Sequence, residues 1–95
     1  MTAQEFMQGH ADKACEGKIA EILGDLTPEA MAQVGPLMAG GPNPPQANTV
    51  VPVSQNGDDF IFDVTYTGGD LKASMRETVR QIDGTWKIVS LVKPS

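Results

Sequence analysis

The chain is poor in the residues that most often carry catalysis or bind metals. It has one cysteine and one histidine in 95 residues. One cysteine excludes an internal disulfide framework, and a single His–Cys pair is too small a set for a common zinc site. No Walker loop, dinucleotide fingerprint or HExxH pattern is present, so neither a cofactor nor a metal is expected. No apolar run approaches the ~20 residues of a membrane-spanning helix. The first residues, Met1–Ala11, are polar and lack the basic start and apolar block of a signal peptide. Bases are scarce: seven Lys and Arg against twelve Asp and Glu leave a net charge of -5. A general nucleic-acid binder is therefore not expected, because phosphate contacts need clustered Lys and Arg.

The remaining composition is that of a globular chain, with 40% hydrophobic and 20% charged residues. Its length suits one domain, 1–95. Charge is uneven. Residues 1–47 hold six acids and two bases, and residues 48–95 hold six acids and five bases.

The first half has helical signals. Thr2 and Glu5 have capping-box spacing. Phe6, Ala14, Cys15, Ile19, Ile22, Leu23 and Leu26 supply an apolar stripe. Gly17 predicts a bend and Gly24 a stop. Thr27-Pro28-Glu29 starts a second helix: a cap, a proline at the first turn and an acid at the positive end of the dipole. Met31, Val34, Leu37 and Met38 form its apolar face, and Pro36 should kink or end it after one or two turns. Ala39–Asn48 is Gly/Pro-rich and predicts a surface loop.

The second half predicts a four-stranded meander with strands near 49–55, 58–67, 70–82 and 85–92. The turns expected are Asn56-Gly57, Gly68-Gly69 and Asp83-Gly84, whose residues tolerate positive φ. With two-residue turns, Val53 faces Phe60 and Val51 faces Phe62. Tyr66 then faces Leu71, Val64 faces Ala73, and Phe62 faces Met75. Gln81 faces Trp86, Val79 faces Ile88, and Met75 faces Val92. The large apolar pairs fall on one side, and a one-residue slip would scatter them. Pro52 cannot donate to a ladder, so the first strand should lie at an edge.

The fold class that follows is α+β: two N-terminal helices packed on a curved four-stranded antiparallel β-meander. The run Met75–Leu91, and Asp83-Gly84-Thr85-Trp86-Lys87-Ile88 in particular, resembles the last hairpin of the nuclear-transport-factor-2-like (cystatin-like α+β) superfamily. That superfamily includes ketosteroid isomerase, SnoaL-like cyclases and many members without catalysis. The chain lacks length for the extra hairpin and third helix that deepen the superfamily's cone, so a shallow pocket is expected. The resemblance also implies frequent dimerisation through the sheet.

Two inward residues could carry chemistry. Glu77 is expected to face Phe60 and Ser90, and a carboxyl in an apolar interior has a raised pKa, as a general acid or base needs. Tyr66 lies on the same face and could donate to a developing oxyanion. Against this stands a solvated Glu77 at the open end of the cone and a Tyr66 whose hydroxyl meets water. His10 and Cys15 are expected to be ordinary helix residues. Phe62, Val64, Met75, Ser90 and Trp86 would line a ligand pocket. On the outer face, Lys72, Arg76 and Arg80 recur every fourth residue, with Lys87 opposite Arg80. Ile61, Val89 and Leu91 lie among them. Ile61, Arg76, Arg80, Val89 and Leu91 are the candidate interface.

Three functions stay open. The favoured one is a non-catalytic homodimer, joined through the outer sheet face, with a shallow pocket for a small apolar ligand or partner. The second is a small lyase or isomerase using Glu77 and Tyr66. The third is a protein-interaction module using the outer face. A cytoplasmic location is expected from the free cysteine and the missing leader pattern.

Overall fold

The structure is a computed structural model and describes residues 1–94. Three helices precede four strands: α1 (Ala3–Cys15), α2 (Ile19–Gly24), α3 (Pro28–Met38), β1 (Ala47–Asn56), β2 (Asp59–Gly68), β3 (Leu71–Ile82) and β4 (Thr85–Val92). The strands form one antiparallel sheet in the order β1-β2-β3-β4. The α+β class and the meander are as the sequence implies. The first predicted helix is divided in two, because Gly17 takes φ 75 between α1 and α2. Thr2 closes the capping box with Glu5, whose carboxylate accepts from the Thr2 backbone N–H at 2.8 Å. That donor holds Glu5 below the usual carboxylate range. Thr27 caps α3, which runs on through Pro36 and ends two residues later. Pro36 therefore sits in the last turn, where it removes one i→i−4 hydrogen bond and only two helical residues follow it.

All three turns hold two residues, but two of them are displaced by one. Asn56 pairs with Asp59, and Gly68 pairs with Leu71. The central residues are thus Gly57-Asp58 and Gly69-Asp70, each led by a glycine at φ near 60. Such a displacement moves every partner by two residues and preserves the faces. Tyr66 pairs with Ala73, Val64 with Met75, and Phe62 with Glu77. Only the Asp83-Gly84 turn stands as expected, with φ 51 and 79.

Two bulges do change faces. The β1–β2 register shifts between Pro52 and Ser54, beside the residue that brings no N–H to the ladder. Val50, rather than Val51, then pairs with Val64, and Val51 and Val53 are exposed. The β3–β4 register shifts between Thr78 and Val79, leaving Val89 unpaired. Ser90 then pairs with Thr78 and Leu91 with Glu77.

The core lies between the helices and the inner sheet face. Met7, Ala11, Leu26 and Ala30 meet Phe62, Val64, Met75, Val79, Ile88 and Leu91. The Ala39–Asn48 connector is not wholly a surface loop. Pro42 and Pro45 are buried, and Gly41 lies so close to Ala73 that a Cβ there would stand 2.9 Å from the alanine methyl.

Both sheet edges are managed. The Ile88 N–H donates to the Asp25 carbonyl at 2.8 Å, and the Thr27 N–H donates to the Ile88 carbonyl at 3.0 Å. The Leu91 N–H donates to Gln33 Oε1 at 2.7 Å. The α2–α3 segment therefore occupies the β4 edge. β1, the other edge, carries Pro52 and the bulge, two devices that discourage further pairing.

Candidate functional site

Glu77 sits on β3 between Phe62 and Leu91, facing the core. It is 1% exposed, and neither carboxyl oxygen has a hydrogen-bond partner among the described residues. Burial alone pushes its pKa up to about 8, because no bond or neighbouring charge offsets the lost hydration of the anion. Tyr66 is also buried, and burial together with the nearby Glu77 charge drives its phenol further up. The Val64–Met75 pair stands between the two rows, and no hydrogen bond joins Tyr66 to Glu77. The expected pair thus shares one face and one electrostatic environment but not a direct contact.

The expected pocket is filled by side chains. Phe62, Val64 and Met75 are core residues, Ser90 is turned to the outer face by the Val89 bulge, and Trp86 is half-buried. The Trp86 ring meets Phe60 edge-on at 5.7 Å, and its indole N–H donates to the Met1 carbonyl. Open space lies elsewhere. A cleft of about 430 Å³ runs between the start of α1 and β1, lined by Ala3, Pro52, Val53, Phe60, Ile61 and Phe62 among others. A second cleft, of about 570 Å³, separates the β1–β2 and β3–β4 turns and is lined by Asp58, Asp59, Arg80, Gln81 and Trp86 among others. Neither cleft is lined by Glu77 or Tyr66.

The outer face is a ladder of neutralised charges. Arg76 donates to both oxygens of Asp63, from Nε at 2.8 Å and from an Nη at 3.0 Å. Arg80 grips Asp59 in the same way, at 2.6 and 3.0 Å. The guanidinium bonds hold Asp59 and Asp63 below the usual carboxylate range. Thr65 and Ser74 share a hydroxyl bond at 3.0 Å. Arg80 and Lys87 are directly opposite, as expected, and their repulsion is offset because Lys87 donates to the Gly24 carbonyl at the end of α2. Of the expected interface, Ile61, Arg76 and Arg80 lie on this face and Val89 is the bulge residue. Leu91 does not: it is 3% exposed in the core, and Val92 takes its place beside Arg76. No helix covers this face among the described residues.

Asp25 is a junction that sequence spacing does not reveal. His10 Nδ1 lies 2.9 Å and Lys13 Nζ 2.8 Å from its Oδ2. Burial raises the Asp25 pKa, but the Lys13 and His10 bonds outweigh it and hold the carboxyl ionised. His10 is buried, and desolvation lowers its pKa despite Asp25. It is therefore a neutral imidazole donating from Nδ1. His10 and Lys13 are three apart on α1, a same-face spacing that could have hinted at a shared partner. Asn48 is a second junction: it donates to Asp12 at 3.0 Å and to Cys15 Sγ at 3.5 Å, and accepts from Gln8 at 2.9 Å. Cys15 thus belongs to a helix-to-strand clamp.

The described residues contain no group of three or more His, Cys, Asp or Glu placed to hold a metal ion. None of their helices is long and apolar enough to cross a membrane. The helices-then-meander arrangement defines the class of protein as an α+β domain with an open sheet. Compared with known proteins, the chain matches no family model, no curated protein and no solved structure.

Proposed function

We propose that this chain is a non-catalytic module of the nuclear-transport-factor-2-like kind that pairs with a second copy of itself through the outer face of its sheet. The observation that carries this is the state of that face. It is uncovered among the described residues, its Asp63–Arg76 and Asp59–Arg80 charges are already paired within the chain, and Val51, Ile61 and Val92 lie among them. The paired side chains bring no net charge to the face, so two copies related by a two-fold axis meet there without like-charge repulsion between the forks. The cleft between α1 and β1 is the place for a small apolar ligand, since its walls are mainly Ala3, Pro52, Val53, Phe60 and Phe62.

Sedimentation equilibrium tests the pairing. The expected mass is twice the 10.1 kDa of the chain, and Thr65→Arg, at the centre of the face, should return it to one chain mass. A wild-type monomer at high micromolar concentration overturns the proposal.

One observation favours a second function, a lyase or isomerase. Glu77 is buried on the same face as Tyr66 with no hydrogen-bond partner, and burial pushes its pKa up to about 8, the range that suits a base working near neutral pH with Tyr66 as the donor. Turnover of an enolisable ketone, abolished in Glu77→Gln and Tyr66→Phe, would replace the first proposal with this one.

A further inference from the structure

We propose that Asn56 is a site of spontaneous chemical modification. The backbone nitrogen of Gly57 displaces ammonia from its side-chain amide, and water converts the resulting ring to an aspartyl or isoaspartyl residue. The geometry of the β1–β2 turn carries this. Asn56 is the last residue of β1 and pairs with Asp59 across a two-residue turn that begins with Gly57. Its side chain is exposed and makes no hydrogen bond among the described residues, so nothing holds the amide away from the backbone that follows it. The Gly57 N–H, the nucleophile once its proton is lost, is also without a bond. Apart from its chain neighbours, no atom lies within 4 Å of where a Gly57 Cβ would be. Gly57 therefore brings no steric obstacle to ring closure. The Asn56–Asp59 pair ends the ladder, where strands open most readily.

The other two asparagines lack these conditions. Asn43 precedes Pro44, whose nitrogen has no proton to lose. Asn48 precedes the β-branched Thr49, and its amide is held by Gln8, Asp12 and Cys15. The Asp83-Gly84 turn has the glycine but no amide, so it has no ammonia to release.

The reaction consumes only water. The Gly57 nitrogen gives up its proton and bonds to Asn56 Cγ. The Cγ–Nδ2 bond breaks, and the amide nitrogen leaves as ammonia with that proton. Water then opens the five-membered imide. Attack at Cγ leaves an aspartyl residue. Attack at the backbone carbonyl carbon leaves an isoaspartyl residue, with one more methylene in the main chain. Either product adds one negative charge to the -5 of the chain. The new carboxylate enters the cleft that Asn56 lines with Asp58, Asp59 and Arg80. Arg80, already bonded to Asp59, meets a further acid there.

Ageing the purified chain in warm, mildly alkaline buffer tests the site, with ion-exchange chromatography and peptide mass mapping as the readouts. An acidic form should accumulate, heavier by the difference between an amide and an acid. The change should be confined to the peptide that holds Asn56, which should split into two products of equal mass. Formation should be faster in alkaline than in mildly acidic buffer, since the deprotonated nitrogen attacks. Asn56→Ser should lose the acidic form. Asn56→Gln should nearly lose it, because closure would need a six-membered ring. The proposal is overturned if the folded chain stays unchanged over the time in which the guanidinium-unfolded chain converts. It is also overturned by a change that maps to Asn43 or Asn48, by an aspartyl product alone, or by an acidic form that persists in Asn56→Ser.

Discussion

A carboxyl that is 1% exposed and has no hydrogen-bond partner is tolerated in a core only as the neutral acid. Below about pH 4.5 Glu77 is protonated in the folded and the unfolded chain alike. Between that value and about 8 the unfolded chain releases the proton and the folded chain keeps it. The folded state binds more protons there, so stability falls as pH rises. His10 opposes this below 6.5, because the unfolded imidazole takes up a proton that the buried one refuses. Urea unfolding of the wild type should therefore lose roughly 1 kcal/mol per pH unit between 6.5 and 8. Glu77→Met should lose the slope and gain on the order of 1–4 kcal/mol at pH 8. Asp25 has the opposite character. Its carboxylate accepts from His10 and Lys13 together, and Asp25→Ala should cost about 1–3 kcal/mol by leaving a buried imidazole N–H unmatched. Thermal unfolding at pH 7 would measure it. That Glu77 faces inward was legible in the strand alternation. Its lack of any partner was not, since a partner can come from any element packed above.

At the scale of the elements, the bulges decide which side chains reach the core. Val89 stands unpaired, so Ile88 and Leu91, three residues apart on one strand, both point inward. Strict alternation would have sent Leu91 outward and Ser90 and Val92 inward. The cost of the bulge is a Leu91 N–H on the exposed side of the ladder, and Gln33 on α3 accepts it at 2.7 Å. Gln33→Leu should lower stability by about 1–3 kcal/mol in urea titrations, the cost of a half-buried donor without an acceptor. Deleting Val89 should do less harm. Val89 is the extra residue, so its removal closes the bulge while Ser90 stays opposite Thr78 and Leu91 opposite Glu77; both faces survive, and a loss of less than about 3 kcal/mol is expected in the same titration. In β1 the cause of the bulge was visible beforehand, because Pro52 marks the site. In β4 no residue marks it. Only the match between α3 and the strand end does.

The whole molecule is one helical layer on one face of an open sheet. The other face holds its charges in two Arg–Asp forks. If two copies meet there, the forks are withdrawn from water as pairs, and association should depend only weakly on salt. Raising ionic strength from low to physiological values should leave the sedimentation mass unchanged. Asp63→Ala should weaken pairing more than Lys72→Ala does, because it leaves Arg76 without the carboxylate that balances its charge.

Local signals in the chain were enough for a good part of this. The capping box at Thr2, the start at Thr27-Pro28 and the Asp83-Gly84 turn each involve residues a few positions apart, so local chemistry determines them. The inward faces of β2 and of β3 through Val79 follow from alternation alone, and with them the positions of Tyr66 and Glu77. Contacts between distant segments decided the rest. The exposure of Val51 and Val53, the burial of Leu91 and the packing of Pro42 and Pro45 all depend on register and on what lies above the sheet. So do the Asp25 and Asn48 junctions, whose bonds join residues up to 40 positions apart. Alternation tells which way a side chain points only until a bulge intervenes, and only the packed whole shows whether a partner meets it there.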